Sequence, residues 1–220
     1  VKRKIIKTAD GSHTIHLEDW NEQYHSKHGA IQEAYHVFIK SGLAHCDKTD
    51  VSILEVGFGT GLNAIITLLE SQKSSLNISY VGVEKYPVAW EEARLLNYIE
   101  QLNEAYLGSQ FEKMHACTWE EETIITPNFK LLKRQKDFID IDNENQFDLV
   151  YFDAFGARVQ PELWTEEIFE IMYKGMKKSG ILVTYAAKGS VRRAMQAVGF
   201  EVERLPGPPG KREMLRATKL

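Results

Sequence analysis

Cysteine is nearly absent: of 220 residues only Cys46 and Cys117 carry a thiol. Two thiols with no C-x-x-C pair and no metal-ligand spacing supply neither a disulfide framework nor a metal site, and they fit a reducing cytoplasm. Long apolar runs are missing too. Nothing approaches the roughly 18 consecutive residues of a membrane span, and no signal-peptide pattern opens the chain, so a cytoplasmic protein without membrane contact is expected. There is no large excess of either charge. Against 27 Lys and Arg stand 31 Asp and Glu, a formal charge of -4, so any nucleic-acid binding must rest on local patches. The seven histidines are scattered. His25 and His28 lie three apart in a polar stretch, where surface or hydrogen-bonded histidines are the ordinary reading, and no metal is expected. No repeat or linker divides the chain. What is present, 43% hydrophobic content over this length, suffices for one globular α/β unit.

The chain is organised around Ile53-Leu54-Glu55-Val56-Gly57-Phe58-Gly59-Thr60-Gly61-Leu62-Asn63, an apolar strand that enters a glycine loop and then a helix carrying Ile65, Ile66, Leu68 and Leu69. Glycine lets the backbone turn sharply and leaves bare peptide N–H groups at the positive end of a helix. A plain tight turn has the same composition, and the spacing is not the dinucleotide pattern G-x-G-x-x-G. A second feature sharpens the reading. The strand Ile78-Ser79-Tyr80-Val81-Gly82-Val83 ends in Glu84, 23 positions beyond Gly61. A carboxylate at the carboxyl end of the second strand of a Rossmann-like sheet is placed to accept both ribose hydroxyls; a surface salt bridge is the alternative. Together the two features indicate a nucleoside-bearing cofactor.

The remaining chain reads as follows. Lys4-Ile5-Ile6-Lys7-Thr8 and His13-Thr14-Ile15-His16-Leu17 flank an Asp10-Gly11 turn, an amino-terminal hairpin. The polar stretch 21–29 is either a connecting loop or a lid over the cofactor. Helical spacing of Ile31, Ala34, Tyr35, Phe38 and Ile39 predicts one helix over 30–41, with Gly42 as its C-cap. A second helix is expected over 88–103. From 110 to 145 the pattern is weak, apart from a strand at 129–134; Asp137 and Phe138 after it could flank an adenine, and 137–144 reads as a loop. Phe147-Asp148-Leu149-Val150-Tyr151-Phe152-Asp153 is a buried strand whose terminal acid sits over the same crevice as the glycine loop. Thr165 caps a helix with Glu166 and Glu167 at its start and Lys174, Lys177 and Lys178 near its end, matching the helix dipole. A strand at 181–185, a helix at 191–198 closed by Gly199, and two carboxy-terminal strands paired antiparallel across Pro206-Gly207-Pro208-Pro209-Gly210 complete the reading. The expected fold is α/β: a mostly parallel, doubly wound Rossmann-like sheet with a carboxy-terminal antiparallel strand. Residues 1–50 form a hairpin-and-helix extension packed on a core of residues 51–220.

With these blocks in place, the chain resembles a known family. The run E-x-G-x-G-x-G at 55–61 is similar to the first motif of class I S-adenosylmethionine-dependent methyltransferases. More selectively, the chain resembles the methyltransferase half of the bacterial bifunctional enzyme that completes 5-methylaminomethyl-2-thiouridine at the tRNA wobble position. The matching blocks are Gly57 to Asn63, Glu84-Lys85-Tyr86-Pro87, Phe152-Asp153 through Pro161-Glu162-Leu163-Trp164, Val191-Arg192-Arg193 with Gly199-Phe200, and Gly210-Lys211-Arg212-Glu213-Met214-Leu215. Ala154, Ala157, Val159 and Gln160 stand where the family has glycine, proline, lysine and asparagine, with Arg158 as a replacement charge. No flavin oxidase half is visible, so the resemblance implies a stand-alone methyltransferase whose aminomethyl substrate is made by a separate protein.

The resemblance implies S-adenosylmethionine as cofactor and the anticodon loop of tRNA as partner. Glu55 would serve the methionine ammonium, Gly57, Gly59 and Gly61 the close backbone approach, and Glu84 the ribose. Phe58, Asn63, Lys85, Asp137 and Asp153 complete the cofactor set, with Tyr24 facing the sulfonium as a cation–π partner. Asp153 is the candidate to take the amine proton or orient the amine. An alkylamine of pKa about 10.4 is only about one part in 10³ neutral at pH 7, a deficit of roughly 4 kcal/mol. For RNA, Phe155, Arg158, Arg192, Arg193, Lys211 and Arg212 are the candidates. Between Lys188 and Lys219 eight Lys and Arg face three Glu, although a solvated hairpin edge would look the same. The competing readings are a small-molecule N-methyltransferase, an aminopropyltransferase, and a binding module without chemistry.

Overall fold

A computed structural model describes residues 2–220. β1 (Arg3–Lys7) and β2 (His13–Leu17) pair antiparallel, and β3 (Glu22–Gln23) adds to β2 as a short third strand. The turn between β1 and β2 is built as the Asp-Gly pair demands. Gly11 sits at φ +90°, and the Asp10 carboxylate accepts from the Thr8 hydroxyl at 2.7 Å and the Ser12 N–H at 3.0 Å. Its other oxygen accepts the Gln32 N–H at 3.0 Å, tying the hairpin to α1 (Ala30–Ala34).

α1 widens into a π-helix over Tyr35–Lys40, so the helix expected over 30–41 changes hydrogen-bond register midway. Ser41 closes it, giving both its N–H (3.3 Å) and its hydroxyl (2.9 Å) to the His36 carbonyl. Gly42 is not the left-handed cap expected: its φ is -113°. Glycine is needed there because a β-carbon would lie 2.5 Å from the Phe38 carbonyl oxygen.

The main sheet follows: β4 (Asp50–Val56), α2 (Leu62–Lys73), β5 (Asn77–Val83), α3 (Trp90–Ala93), α4 (Tyr98–Leu102), α5 (Leu107–Ala116), β6 (Glu122–Thr126), β7 (Phe129–Arg134), β8 (Phe147–Phe152), α6 (Glu166–Gly175), β9 (Met176–Thr184), α7 (Gly189–Ala197), β10 (Phe200–Pro206) and β11 (Glu213–Lys219). Eight strands lie in the order β10-β11-β9-β8-β4-β5-β7-β6. β7, β5, β4, β8 and β9 run parallel, β11 and β6 run against them, and β10 pairs antiparallel with β11 at the outer edge. One apolar cluster joins α2, α5 and the amino-terminal elements on one face, and a second joins α6 and α7 on the other. The fold is the doubly wound α/β sheet that the strand pattern predicts. From β4 the chain first proceeds through β5 to β7, then returns to β8 on the other side of β4, which opens a crevice at the carboxyl ends of β4 and β8.

Several boundaries differ from expectation, each for a tertiary reason. The helix expected over 88–103 is two short helices. Between them Asn97 turns to the hairpin, accepting the His13 N–H at 2.7 Å and donating to the Gly11 carbonyl at 3.0 Å. α6 stops at Gly175, and Lys177 and Lys178 belong to β9, where Lys177 meets the Asp148 carboxylate at 2.8 Å and Lys48 meets it from the other side at 2.5 Å. Strand β9 thus starts earlier than 181, with an irregularity in its pairing at Ser179-Gly180, where Ser179 has φ +63°. α5 and β6 were not anticipated.

Candidate active site

The glycine loop is shaped by contacts that exclude side chains. Gly57, Gly59 and Gly61 have φ of +96°, +50° and +74°, conformations in which only glycine is free of strain. The N–H groups of Gly57 and Phe58 both donate to the Val83 carbonyl at 3.0 Å, which pins the loop to the end of β5. A β-carbon on Gly57 would lie 2.7 Å from the Asp153 carbonyl, and one on Gly59 would lie 3.1 Å from the Tyr24 ring. The loop is therefore wedged between the end of β8 and an aromatic ring from the amino-terminal extension. Phe58 turns its ring inward against Gly82, so its backbone and not its ring serves the loop.

Beside this loop lies a cavity of about 950 Å³, at the upper end of the range for small-molecule sites. It brings together Tyr24, Glu55, Gly57, Phe58, Gly59, Asn63, Glu84, Lys85, Asp137, Asp153, Phe155 and Lys211 of the residues expected from the sequence. Gly61 lies just behind, where it begins α2. Glu84 holds two main-chain N–H groups, that of Gly59 at 3.0 Å and that of Tyr86 at 2.9 Å. Burial nevertheless raises its carboxyl above the ordinary range. Asp137 does not stand free at the cavity edge: it is paired with Lys85 at 2.5 Å, and that ion pair lowers its carboxyl.

Deeper in the cavity, Asn63 Nδ2 donates to Glu55 Oε1 at 2.9 Å and to Asp153 Oδ2 at 2.8 Å, bridging two carboxyl groups. The Tyr80 hydroxyl donates to the other Glu55 oxygen at 2.9 Å. Burial, followed by the proximity of Asp153, pushes the Glu55 carboxyl well above its usual value. Asp153 is pushed up to about 7, first by burial and then by the negative charge of Glu33. A carboxyl near 7 is poised to exchange a proton at neutral pH.

The walls around Asp153 are aromatic. Tyr24 meets Phe155 edge-on at 5.0 Å, and Trp20 meets Phe155 edge-on at 5.8 Å. Arg3 approaches the Tyr24 hydroxyl at 3.4 Å, and burial raises that phenol to about 12. The polar stretch 21–29 lines this side of the cavity, so it forms part of the wall. Glu33 and Tyr185 were not anticipated. Tyr185 follows β9 at the same edge where Asp153 follows β8, so the rule that strand ends carry function would have found it. Glu33 is a buried acid between Ala30 and Ala34 on the apolar side of α1, and that placement was its signal.

The predicted RNA-binding residues separate. Arg158, Lys211 and Arg212 line a second groove of about 480 Å³, with Lys188, and it shares Gly156, Tyr185 and Lys211 with the first cavity. Arg158 is held by Glu22 at 2.9 Å and by the Asn21 carbonyl at 3.2 Å. Lys211 reaches inward to the Glu33 carboxylate. Arg192 and Arg193 sit on α7 and line neither cavity.

Comparison with known proteins gives three kinds of match. A family model described as S-adenosyl-L-methionine-dependent methyltransferase matches residues 94–220. The tRNA 5-methylaminomethyl-2-thiouridine biosynthesis bifunctional protein MnmC of Actinobacillus pleuropneumoniae is 29% identical over 226 residues, covering 92% of this chain and 33% of that protein. The chain thus spans about a third of the length of the relatives it matches. The crystal structure of MNMC2 from Aquifex aeolicus superposes with a TM-score of 0.74 at 26% identity, covering 98% of this chain and 70% of that one. Spermidine synthase from Thermotoga maritima shares the fold, with a TM-score of 0.61 at 16% identity over 99% of this chain and 68% of that one.

Proposed function

Since the chain belongs to the family of S-adenosyl-L-methionine-dependent methyltransferases, we propose that it methylates the primary amine of 5-aminomethyl-(2-thio)uridine at the wobble position of tRNA. The observation that carries this reading is the continuity of the site. One cavity runs from the glycine loop and Glu84 to Asp153 and an aromatic wall, then joins a groove lined by Arg158, Lys188 and Arg212. A nucleoside cofactor, an amine and a polyanion are thereby offered adjacent sites. The relatives named for tRNA 5-methylaminomethyl-2-thiouridine biosynthesis match over nine-tenths or more of this chain, which supports the same substrate.

The cradle fits the cofactor. Gly57 and Gly59 leave the space that a β-carbon would fill, Glu84 stands at the end of β5 to receive ribose hydroxyls, and Asn63 and Glu55 face the methionine end. When bound, S-adenosyl-L-methionine supplies an electrophilic methyl group beside a positive sulfonium. Asp153 receives the proton that the substrate ammonium must lose before its nitrogen can attack. Asn63 fixes the Asp153 carboxyl in orientation. Phe155 and Trp20 exclude water and offer ring faces to the uracil, while Tyr24, whose ring lies beside Gly59, serves the sulfonium. Residues of the amino-terminal extension, from Trp20 to Glu33, act as a wall of the substrate side. The setting of such a reaction is the cytoplasm, with a separate activity supplying the aminomethyl group.

The test is methyl transfer from labelled S-adenosyl-L-methionine to tRNA from cells lacking this activity, followed by nucleoside analysis. Label in 5-methylaminomethyl uridines is the expected result. Cofactor binding without label, in tRNA shown to contain the aminomethyl nucleoside, would move the reading to a small-molecule amine.

A further inference from the structure

Glu33 and Lys211 are 178 positions apart in sequence and meet inside the cavity. The Glu33 side chain is only 9% exposed and that of Lys211 32%. Both are anchored. Glu33 Oε1 accepts the Ser26 N–H at 3.1 Å, and the Lys211 ammonium lies 4.0 Å over the Tyr185 ring. That ring is itself fixed, because its hydroxyl donates at 2.8 Å to the carbonyl of Ala154, the residue after Asp153. Exposed ion pairs do little because they move and are screened. This pair is anchored at both ends and largely withdrawn from solvent, where charge acts over several ångström.

We propose that the Glu33–Lys211 pair sets the protonation balance of Asp153 and of the substrate amine, making both of them positioning residues that act through charge and not through contact. The inference rests on the amine substrate proposed above. Its physical basis is the opposed sign of the two effects: Glu33 resists ionisation of Asp153, and Lys211 favours it. An ammonium entering the same space is destabilised by Lys211 and stabilised by Glu33. With both present the two influences oppose each other, Glu33's being the larger, so Lys211 limits how far Glu33 holds Asp153 in its protonated form.

Among the other charged groups of this cavity, Arg3 is paired with Glu92, Lys85 with Asp137, and Glu84 holds two main-chain N–H groups. Glu22 on β3 is neutralised by Arg158. Glu55 on β4 is held toward its neutral form by burial, and Tyr185 is raised well above the ordinary phenol. Burial lowers His25 to about 4, so it carries no charge at neutral pH. His28, Lys27 and Glu162 stand in the cavity lining and remain unchanged in every variant below.

The experiment is the pH dependence of single-turnover methyl transfer to tRNA bearing 5-aminomethyl-2-thiouridine, between about pH 5.5 and 9.5. It is paired with carbon-13 carboxyl titration of Asp153 in the substrate-free protein. Glu33→Gln should move the acid limb and the Asp153 midpoint down by about half to one pH unit, and Lys211→Met should move both up by a similar amount. The Glu33→Gln/Lys211→Met double variant should return toward the wild type, and Lys211→Arg should stay there. Limbs that keep their position while only the rate falls, or that move the same way in both single variants, would overturn the proposal. If the wild type methylates no amine, the substrate reading fails, and the substrate-free titration alone judges the pair: an unmoved Asp153 midpoint rejects it.

Discussion

In the proposed reaction Asp153 must ionise where burial has made ionisation unfavourable, and that conflict has a thermodynamic signature. Its folded-state value of about 7 lies above the unfolded value of about 3.9. The folded protein therefore holds this proton more tightly than the unfolded chain does. The sign follows from linkage: the stabilisation is complete below about pH 4, falls as pH rises between the two values, and is gone above about 7. In the absence of cofactor, the melting temperature should fall between pH 5 and pH 8, and Asp153→Asn should flatten part of that fall. The same variant should lower turnover by about 10²-fold or more, the scale of a lost general base, with cofactor affinity within a few fold. Calorimetry at constant ionic strength checks the first half; a melting curve that keeps its full pH slope in the variant would contradict it. Glu84 is a different case, since both of its oxygens already hold main-chain N–H groups. Glu84→Gln turns one of those acceptors into a donor facing a donor. At about 1–3 kcal/mol for such a mismatch, cofactor affinity measured by titration calorimetry should fall by roughly one to two orders of magnitude.

Among the elements, the glycine loop bears substitution least. Gly57→Ala places a methyl group 2.7 Å from the Asp153 carbonyl at a φ of +96°. The left-handed backbone alone costs about 1–2 kcal/mol, and the collision must move either the loop or the end of β8. The expected outcome is a melting temperature lower by several degrees, at about 2–4 °C per kcal/mol for a chain of this size, together with lost cofactor binding. Gly108→Ala is the counterpart. It lies in α5 with nothing within 4 Å of the added carbon, so helix propensity alone should raise stability by about 0.5–1 kcal/mol. This contrast also marks what the sequence could disclose. The loop, β4, β5 and β8 were legible because their signals are local: apolar runs, glycine spacing and an acid at each strand end. The split of the helix over 88–103 was not legible, because its cause is Asn97 bonding to a hairpin more than eighty positions away. Lys177 and Lys178 suited a helix terminus in sequence, yet Asp148 draws Lys177 into a strand. α5 has apolar anchors at Leu107, Phe111 and Met114 with helical spacing, but three anchors among polar residues made a faint stripe. The meeting of Glu33 with Lys211 was beyond any local signal, being a product of the closed fold.

At the scale of the whole molecule, the proposed tRNA substrate would require a chain of formal charge -4 to hold a polyanion, which it can do only if its cations are gathered on one face. The second groove gathers them next to Tyr185 and the end of β9. Two of its four cations are already committed: Arg158 to Glu22 and Lys211 to Glu33. Lys188 and Arg212 are exposed at the same groove and remain the best placed to meet phosphates. Each phosphate neutralised releases counterions, so affinity for the proposed tRNA substrate should fall steeply with salt. The Lys188→Glu/Arg212→Glu variant should weaken tRNA binding by at least about tenfold and reduce the slope of log K against log salt by about one per cation changed. Affinity for S-adenosyl-L-methionine should stay the same, because neither residue lines the cavity that holds the glycine loop. Lys130→Glu is the control away from the groove, with half the charge change of the double variant. It lies on β7 beside Glu122, toward the sheet edge opposite β10 and β11, and should leave the salt slope as it was. A loss from Lys130→Glu in proportion to its smaller charge change would mean that net charge, and not this groove, governs the encounter. A loss confined to the groove variant would place the RNA backbone at this groove, which shares Tyr185 with the cavity that holds Asp153.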